Sequence, residues 1–352
     1  MVCTGFGCAW GLWRPLPAAT AVSSFAYLGN STLIVGSSVS GKLWLTHDFG
    51  VTWFQTSQIG TATSVQSLLS LGNGTCLCGT GPFGAIYATH DYGDSWHLHQ
   101  TLGSETKVYS LFKSSTGTIF AGTDPHSQVW RSVDGGNTWT FSVALASTLW
   151  VTAFANSGTG RLLACSRANS YIAISDDDGI TFPTANRITR PWPVYYLINV
   201  TDSILLHFCG DNRRLYRSVN GGLAWSDLGV IFLTGTASFL GATDSGQFCF
   251  IGGSSNNIKR SGDYGVTWDT PTGFVTPYNL AGFVAFTNAF AIVPGGTAGK
   301  MFCTPAVIAA PVSSFSGLPI SGEAPLSVQF TDSSINTPIE WLWTFGDGET
   351  ST

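Results

Sequence analysis

Six octapeptides recur along this chain at a fixed spacing of 43 residues, and that spacing restricts the fold more than any other property of the sequence. They read THDFGVTW (46–53), THDYGDSW (89–96), SVDGGNTW (132–139), SDDDGITF (175–182), SVNGGLAW (218–225) and SGDYGVTW (261–268). Their closing residues are Trp53, Trp96, Trp139, Phe182, Trp225 and Trp268, each 43 beyond the one before. One step back, Gly7 and Trp10 mark a degenerate copy, CTGFGCAW (3–10), with Gly5 in the acidic place. One step forward falls on Pro311, with nothing similar around it. A strict period of this length describes one supersecondary unit stacked against copies of itself.

The octapeptide reads as a turn between two strands. Asp48, Asp91, Asp134, Asp177 and Asp263 are placed to accept hydrogen bonds from the backbone of their own turns, and Asn220 keeps an acceptor in the sixth copy. A glycine stands two residues after that position in every copy, as a positive φ would require. The aromatic residue opens the next strand and offers a large apolar area to a neighbouring unit. A residue repeated in every unit points to a turn staple, not to catalysis or calcium binding.

Strand patterns recur with the turns. KVYSLFKSS (107–115), TIFAGT (118–123) and VWRS (129–132) precede the third turn of the six, and WTFSVA (139–144) follows it. Four antiparallel strands per unit predict an all-β chain, a seven-bladed β-propeller over residues 1–308. Residues 269 to about 305 supply three more strands without a turn of this type, so the missing outer strand must come from residues near 8–13, which carry the orphan first copy. N-/C-terminal closure of this kind leaves no open sheet edge. It also brings Cys3 and Cys8 near Cys303, where a closing disulfide is compatible with the topology.

The octapeptides resemble the Asp-box, or BNR, motif S-x-D-x-G-x-T-W of sialidases, sortilin-type receptors, xyloglucan-cleaving enzymes and photosystem assembly factors. The resemblance covers roughly residues 1 to 305 and implies the same propeller. Sialidase chemistry would imply an arginine triad and a Tyr nucleophile assisted by Glu, but the family's Phe-Arg-Ile-Pro signature is absent and Glu105 is the only glutamate in this part of the chain. Xyloglucanase chemistry would need two facing carboxylates; Asp124 and Asp211 are the one obvious pair.

After Ala310 the pattern changes. APLSVQFTDSS (324–334) and WTFGDG (343–348) resemble the front half of a PKD domain, which implies the start of an Ig-like β-sandwich over 309–352. Thr344 stands where that family usually has Asp, and a complete sandwich takes nearer 100 residues. A half-sandwich exposes strand edges that recruit other chains, so self-association into a filament through this part is expected.

Composition removes several function classes. Fifteen basic and twenty acidic residues give a net charge of −5 with no basic run, so no nucleic acid partner is expected. The most apolar stretch, AGFVAFTNAFAIV (281–293), is interrupted by Thr287 and Asn288 and falls short of the roughly 20 residues of a span, so no membrane insertion is expected. The start, MVCTGFGCAW, lacks the pattern of a secretory signal. The eight cysteines show no zinc-site spacing and read mainly as buried thiols. His97 and His99 alternate on an outer strand with no evident third ligand, so no metal and no cofactor are expected. Asn30, Asn73 and Asn199 stand in N-x-S/T sequons at strand turns, where turn chemistry alone accounts for Asn.

The loops between second and third strands lie on the face opposite the acidic turns, where a propeller normally binds. They bring Asp124, His126, Arg167, Asp211, Arg213 and Arg214 to three consecutive units, and the connection TANRITRPWPVYY (184–196) adds Arg187, Arg190 and Trp192. The candidate site is thus a sugar or anion site with Trp192 as stacking platform and the arginines as donors, and it has no catalytic residue. The expected function is a non-enzymatic scaffold or recognition protein, extracellular or on a cell or virion surface. Glycans are its expected partners, or it serves as a subunit of a filament or virus-like surface structure. The alternatives are a glycoside hydrolase and an assembly factor.

Overall fold

The computed structural model describes residues 11–12, 22–48, 52–145, 149–158, 161–167, 171–183, 188–189, 193–210, 212–232, 237–242, 247–253, 258–270, 284–287, 290–295, 300–303, 315–319, 321–322, 327–332, 343–344 and 350–351. The chain divides into two compact units, 1–304 and 305–352.

The first unit is a series of antiparallel sheets in chain order. The first blade consists of Val22–Gly29, Thr32–Ser37, Leu43–Thr46 and Phe54–Gln55, hydrogen-bonded in that order. Four more four-stranded blades follow, at 64–101, 107–144, 151–189 and 194–230. A further four-stranded sheet joins the two ends of the unit: Val284–Thr287, Phe290–Gly295 and Lys300–Cys303 are completed by Gly11–Leu12, with Gly11 opposite Cys303 and Leu12 opposite Phe302. The second strand of each of the five consecutive blades is almost wholly buried, as strands covered on both faces must be.

The blade count departs from the sequence reading. Seven four-stranded blades are predicted, and the structure has six among the described residues. Among the described residues the sheet over 237–261 has three strands, and beyond Trp268 a single bridge, Arg260 to Asp269, continues the ladder. Residues 271–283 lie outside the described residues. The Ig-like sandwich is corrected as well. The described residues of the second unit form two separate two-stranded pairs, Phe315–Leu318 with Gln329–Asp332 and Trp343–Thr344 with Thr350–Ser351, and two such ribbons do not make stacked sheets.

The acidic turns are built as staples. Asp134 Oδ1 accepts hydrogen bonds from Thr138 N (2.9 Å) and Ser132 Oγ (2.8 Å), and Oδ2 accepts from Thr138 Oγ1 (2.6 Å). Asp48, Asp91, Asp177 and Asp263 make the same set, and Asn220 accepts from Ala224 N at 2.8 Å. Gly136 adopts φ 92°, and an added Cβ would lie 2.6 Å from Leu77 of the preceding blade, so a glycine is required twice over. Trp139, 4% exposed, donates to the Gly136 carbonyl at 2.9 Å and packs with Leu77 and Ile86 of that blade.

Cys76, Cys78, Cys165, Cys209 and Cys249 are free and buried, and burial pushes the thiols of Cys76 and Cys249 up to about 12. Cys3 and Cys8 lie outside the described residues, as does the Cys303 side chain.

Hydrogen bonds from Thr138 and Ser132 hold the Asp134 carboxyl at about 2. At Asp91 and Asp263 burial opposes ionisation, but the turn's hydroxyl and N–H donors outweigh it and bring both to about 2. A carboxyl depressed on folding stabilises the fold above its ordinary titration range, and that stability is lost as pH falls toward the folded value. The midpoint of thermal unfolding should therefore be level near neutrality and drop between about pH 4 and pH 2. Asp134→Ala should cost about 1 kcal/mol in urea melts, and Asp134→Asn, which keeps Oδ1, clearly less.

Candidate functional site

The innermost strand of each of the six consecutive sheets between 22 and 261 carries the same irregularity. Between Val22 and Ser24, Val65 and Ser67, Val108 and Ser110, Val151 and Ala153, Val194 and Tyr196, and Ala237 and Phe239, one residue has no cross-strand partner. Such a bulge bends the strand and turns the extra side chain out of the alternation. The extra residues are Ser23, Gln66, Tyr109, Thr152, Tyr195 and Ser238, again 43 apart.

Two adjoining cavities follow from this arrangement. One, of about 300 Å³, touches the innermost strand of six consecutive sheets, from Ser24 and Phe25 round to Leu240, so it lies on the axis of the unit. The other, of about 310 Å³, is lined by Tyr109, Trp150, Thr152, Arg167, Tyr195, Tyr196, Gly210, Ala237 and Ser238. Thr152 and Tyr196 border both, which makes the second cavity a basin at one axial mouth. It opens where innermost strands begin and second strands end, at the end of the blades opposite the acidic turns.

A stack of four groups forms its wall. Tyr109 lies on Trp150 with ring centroids 5.2 Å apart, and the Arg167 guanidinium sits 4.7 Å from the Trp150 ring and 4.7 Å from the Tyr195 ring. Arg167 Nη2 donates to the Tyr195 hydroxyl at 2.8 Å, and its main-chain N donates to the Trp150 carbonyl at 3.2 Å. Gly210 leaves the space that Tyr195 fills, since an added Cβ would lie 2.3 Å from that ring. Burial pushes the Tyr109 and Tyr196 phenols upward, with Arg167 opposing, so both stay protonated at neutral pH. Each cation–π contact in a partly dry site adds about 1 kcal/mol to the placement of the arginine.

The structure sorts the residues singled out from sequence. Arg167 is the charged group lining the basin. Asp124 does not line the described basin, and its carboxylate lies 3.8 Å from the Lys107 ammonium. His126 faces away onto the buried Glu105, with Nδ1 2.6 Å from its carboxylate, and Glu105 also accepts from Thr123 Oγ1 at 2.7 Å. That pair pins the 123–128 loop. Arg213 takes a left-handed turn at φ 58°, its carbonyl accepting from Ile231 N, and Arg214 is paired with Asp227. Arg187, Arg190, Trp192 and Asp211 lie outside the described residues.

His99 is held by the Gly136 carbonyl at 2.8 Å, and among the described residues no group of three His, Cys, Asp or Glu is placed to hold a metal ion. Among the described residues no helix is long and apolar enough to cross a membrane. Sequence reasoning passed over Tyr109, Trp150, Tyr195 and Tyr196. The signal that finds them is the 43-residue period applied to the bulge positions as well as to the loops.

No family model matches this chain, and no curated protein matches it. Solved structures do. One is YCF48 bound to D1 peptide, 16% identical, with 86% of this chain and 97% of that chain covered and a TM-score of 0.69. Another is a catalytically inactive virginiamycin B lyase from Staphylococcus aureus with quinupristin, 10% identical, covering 84% and 99%, TM-score 0.69. A third is the WD40 propeller domain of Doa1, 14% identical, covering 85% and 97%, TM-score 0.60. At such identities the likeness concerns fold alone, and the roles of these proteins differ widely. The fold of this chain is that of a β-propeller.

Proposed function

We propose that this protein is a non-enzymatic recognition propeller, extracellular or surface-located, and that its ligand site is the axial basin around Arg167. The observation that carries the proposal is the convergence of bulge residues from four consecutive sheets, Tyr109, Thr152, Tyr195 and Ser238, on one concave space with an aromatic-clamped arginine. Its volume is at the lower end of small-ligand sites, which are concave, largely apolar and furnished with a few fixed polar groups. Two of the structural neighbours, YCF48 and virginiamycin B lyase, were solved with a bound molecule, which supports a ligand-holding role for a chain of this fold.

The Asp-box resemblance fits this reading as architecture. The motif acids Asp48, Asp91, Asp134, Asp177 and Asp263 are each tied into their own turn, and the turns lie at the opposite end from the basin. A hydrolase reading is less well supported. It needs two carboxylates facing across one bond, whereas the described lining holds a guanidinium and phenols, and Asp124 stands beside Lys107.

A glycan array probed with the purified protein, read alongside reducing-sugar release, tests the proposal. Binding should be present in the wild type and lost in Arg167→Ala and Tyr109→Ala variants of unchanged far-ultraviolet circular dichroism, with no sugar released. Turnover that disappears in Asp124→Ala would overturn the non-enzymatic reading.

A further inference from the structure

The chemistry of the basin narrows its ligand. The Arg167 guanidinium carbon lies over the Trp150 ring and over the Tyr195 ring, 4.7 Å from each centroid. A guanidinium stacked on aromatic rings offers a ligand its N–H edge. Nη2 donates to the Tyr195 hydroxyl, and among the described residues its other N–H groups have no partner. Two parallel N–H groups in one plane match the two oxygens of a carboxylate. A phosphate dianion would call for a second cation or a nest of backbone N–H groups, and Arg167 is the one cation in the described lining.

The rest of the lining describes the body that carries the carboxylate. Tyr109, Tyr196 and Ser238 border the same space with hydroxyls that both donate and accept. Tyr109 and Tyr196 remain protonated, so they add no opposing charge. The Thr152 hydroxyl is engaged with the Val194 carbonyl at 2.9 Å and serves the blade packing instead. About 310 Å³ holds one ring-sized unit and not an extended chain. Tyrosine rings beside hydroxyl donors suit a polyhydroxylated ring, with apolar C–H faces and polar edges.

We infer that the basin binds a sugar acid of the hexuronate type, its carboxylate taken by the N–H edge of Arg167, which is stacked with Trp150 and Tyr195. This rests on the basin being the ligand site. Gly210 is a positioning residue for it: a methyl group there would lie 2.3 Å from the Tyr195 ring and push that ring off Arg167.

The test is a titration of the full chain with D-glucuronate, D-glucose, the peptide Ala-Ala-Ala and its C-terminal amide, read by saturation-transfer NMR and tryptophan fluorescence. Glucuronate should bind at least about tenfold more tightly than glucose, as one charge-assisted bidentate contact allows. Arg167→Lys, which keeps the charge but loses the fork, should weaken glucuronate about tenfold while the thermal midpoint stays within a few degrees. Gly210→Ala should do the same and blue-shift or quench Trp150 differently from the wild type. Equal binding of glucose and glucuronate would leave the basin as the ligand site and overturn the carboxylate. Tighter binding of the free peptide, lost in its amide, would keep the carboxylate and overturn the sugar. Absence of any signal from all four probes, with Arg167→Lys indistinguishable from wild type, would overturn both.

Discussion

The contact on which the rest of the first unit depends is the seat of one blade's innermost strand against the blade before it. The bulge in that strand leaves a carbonyl without a ladder partner, and a hydroxyl from the preceding blade takes it. Ser23 Oγ donates to the Val65 carbonyl at 2.5 Å, Ser67 to Val108 at 3.1 Å, Ser110 to Val151 at 3.0 Å and Thr152 to Val194 at 2.9 Å. The valine beside each carbonyl packs down on the preceding blade, and in three places it does so over a glycine. A Cβ at Gly36, Gly79 or Gly122 would fall 2.5 to 2.8 Å from the side chain of Val65, Val108 or Val151. Burying such a valine contributes roughly 1.5–3 kcal/mol, and the hydrogen bond prevents the burial from stranding a polar group. At the other end of the blade the acidic turn performs the same task, with its glycine on the preceding blade's second strand and its tryptophan between sheets. Each blade is thus fixed at both ends, and the channel between innermost strands keeps a constant geometry.

Much of this was legible in the sequence, because the turns are local. Asp134, Gly136 and Trp139 lie within one octapeptide, and their chemistry needs no knowledge of distant residues. What was not legible depended on partners far along the chain. The blade count rested on treating every unit as equal, whereas among the described residues the sheet over 237–261 has three strands and a single further bridge, Arg260 to Asp269. His126 looked like a site residue because its loop faces the right end of the fold. Its ring is instead committed to Glu105, a buried carboxylate 21 residues earlier, whose place in the β-connection gave no sign of that pairing.

The site shows the converse failure. Arg167 was found by its loop, but the aromatic residues around it were not singled out. Strand alternation assigns every second side chain to one face, and a bulge breaks that assignment at one position. Tyr109 and Tyr195 occupy that position. Periodicity of two cannot reveal them, while periodicity of 43 can, once the bulge is known.

That distinction separates architecture from function in a repeat fold. Positions that serve the packing are the same in unit after unit: the turn acid, the turn glycine, the aromatic residue, the valine before the bulge. The bulge position repeats as backbone and varies as side chain, running Ser23, Gln66, Tyr109, Thr152, Tyr195, Ser238 around the axis. Hydrogen bonding between blades constrains only whether a hydroxyl is near, and Ser67 or Ser110 supplies it from the next position along. The bulge side chains of four consecutive sheets, Tyr109, Thr152, Tyr195 and Ser238, line the basin. A chain built on this plan can change what it binds by exchanging those few residues and their loop neighbours, leaving the blades unaltered. In this chain the third and fifth blades hold the tyrosines of the set, and the basin at the axial mouth is lined on that side by Trp150, Arg167 and Gly210.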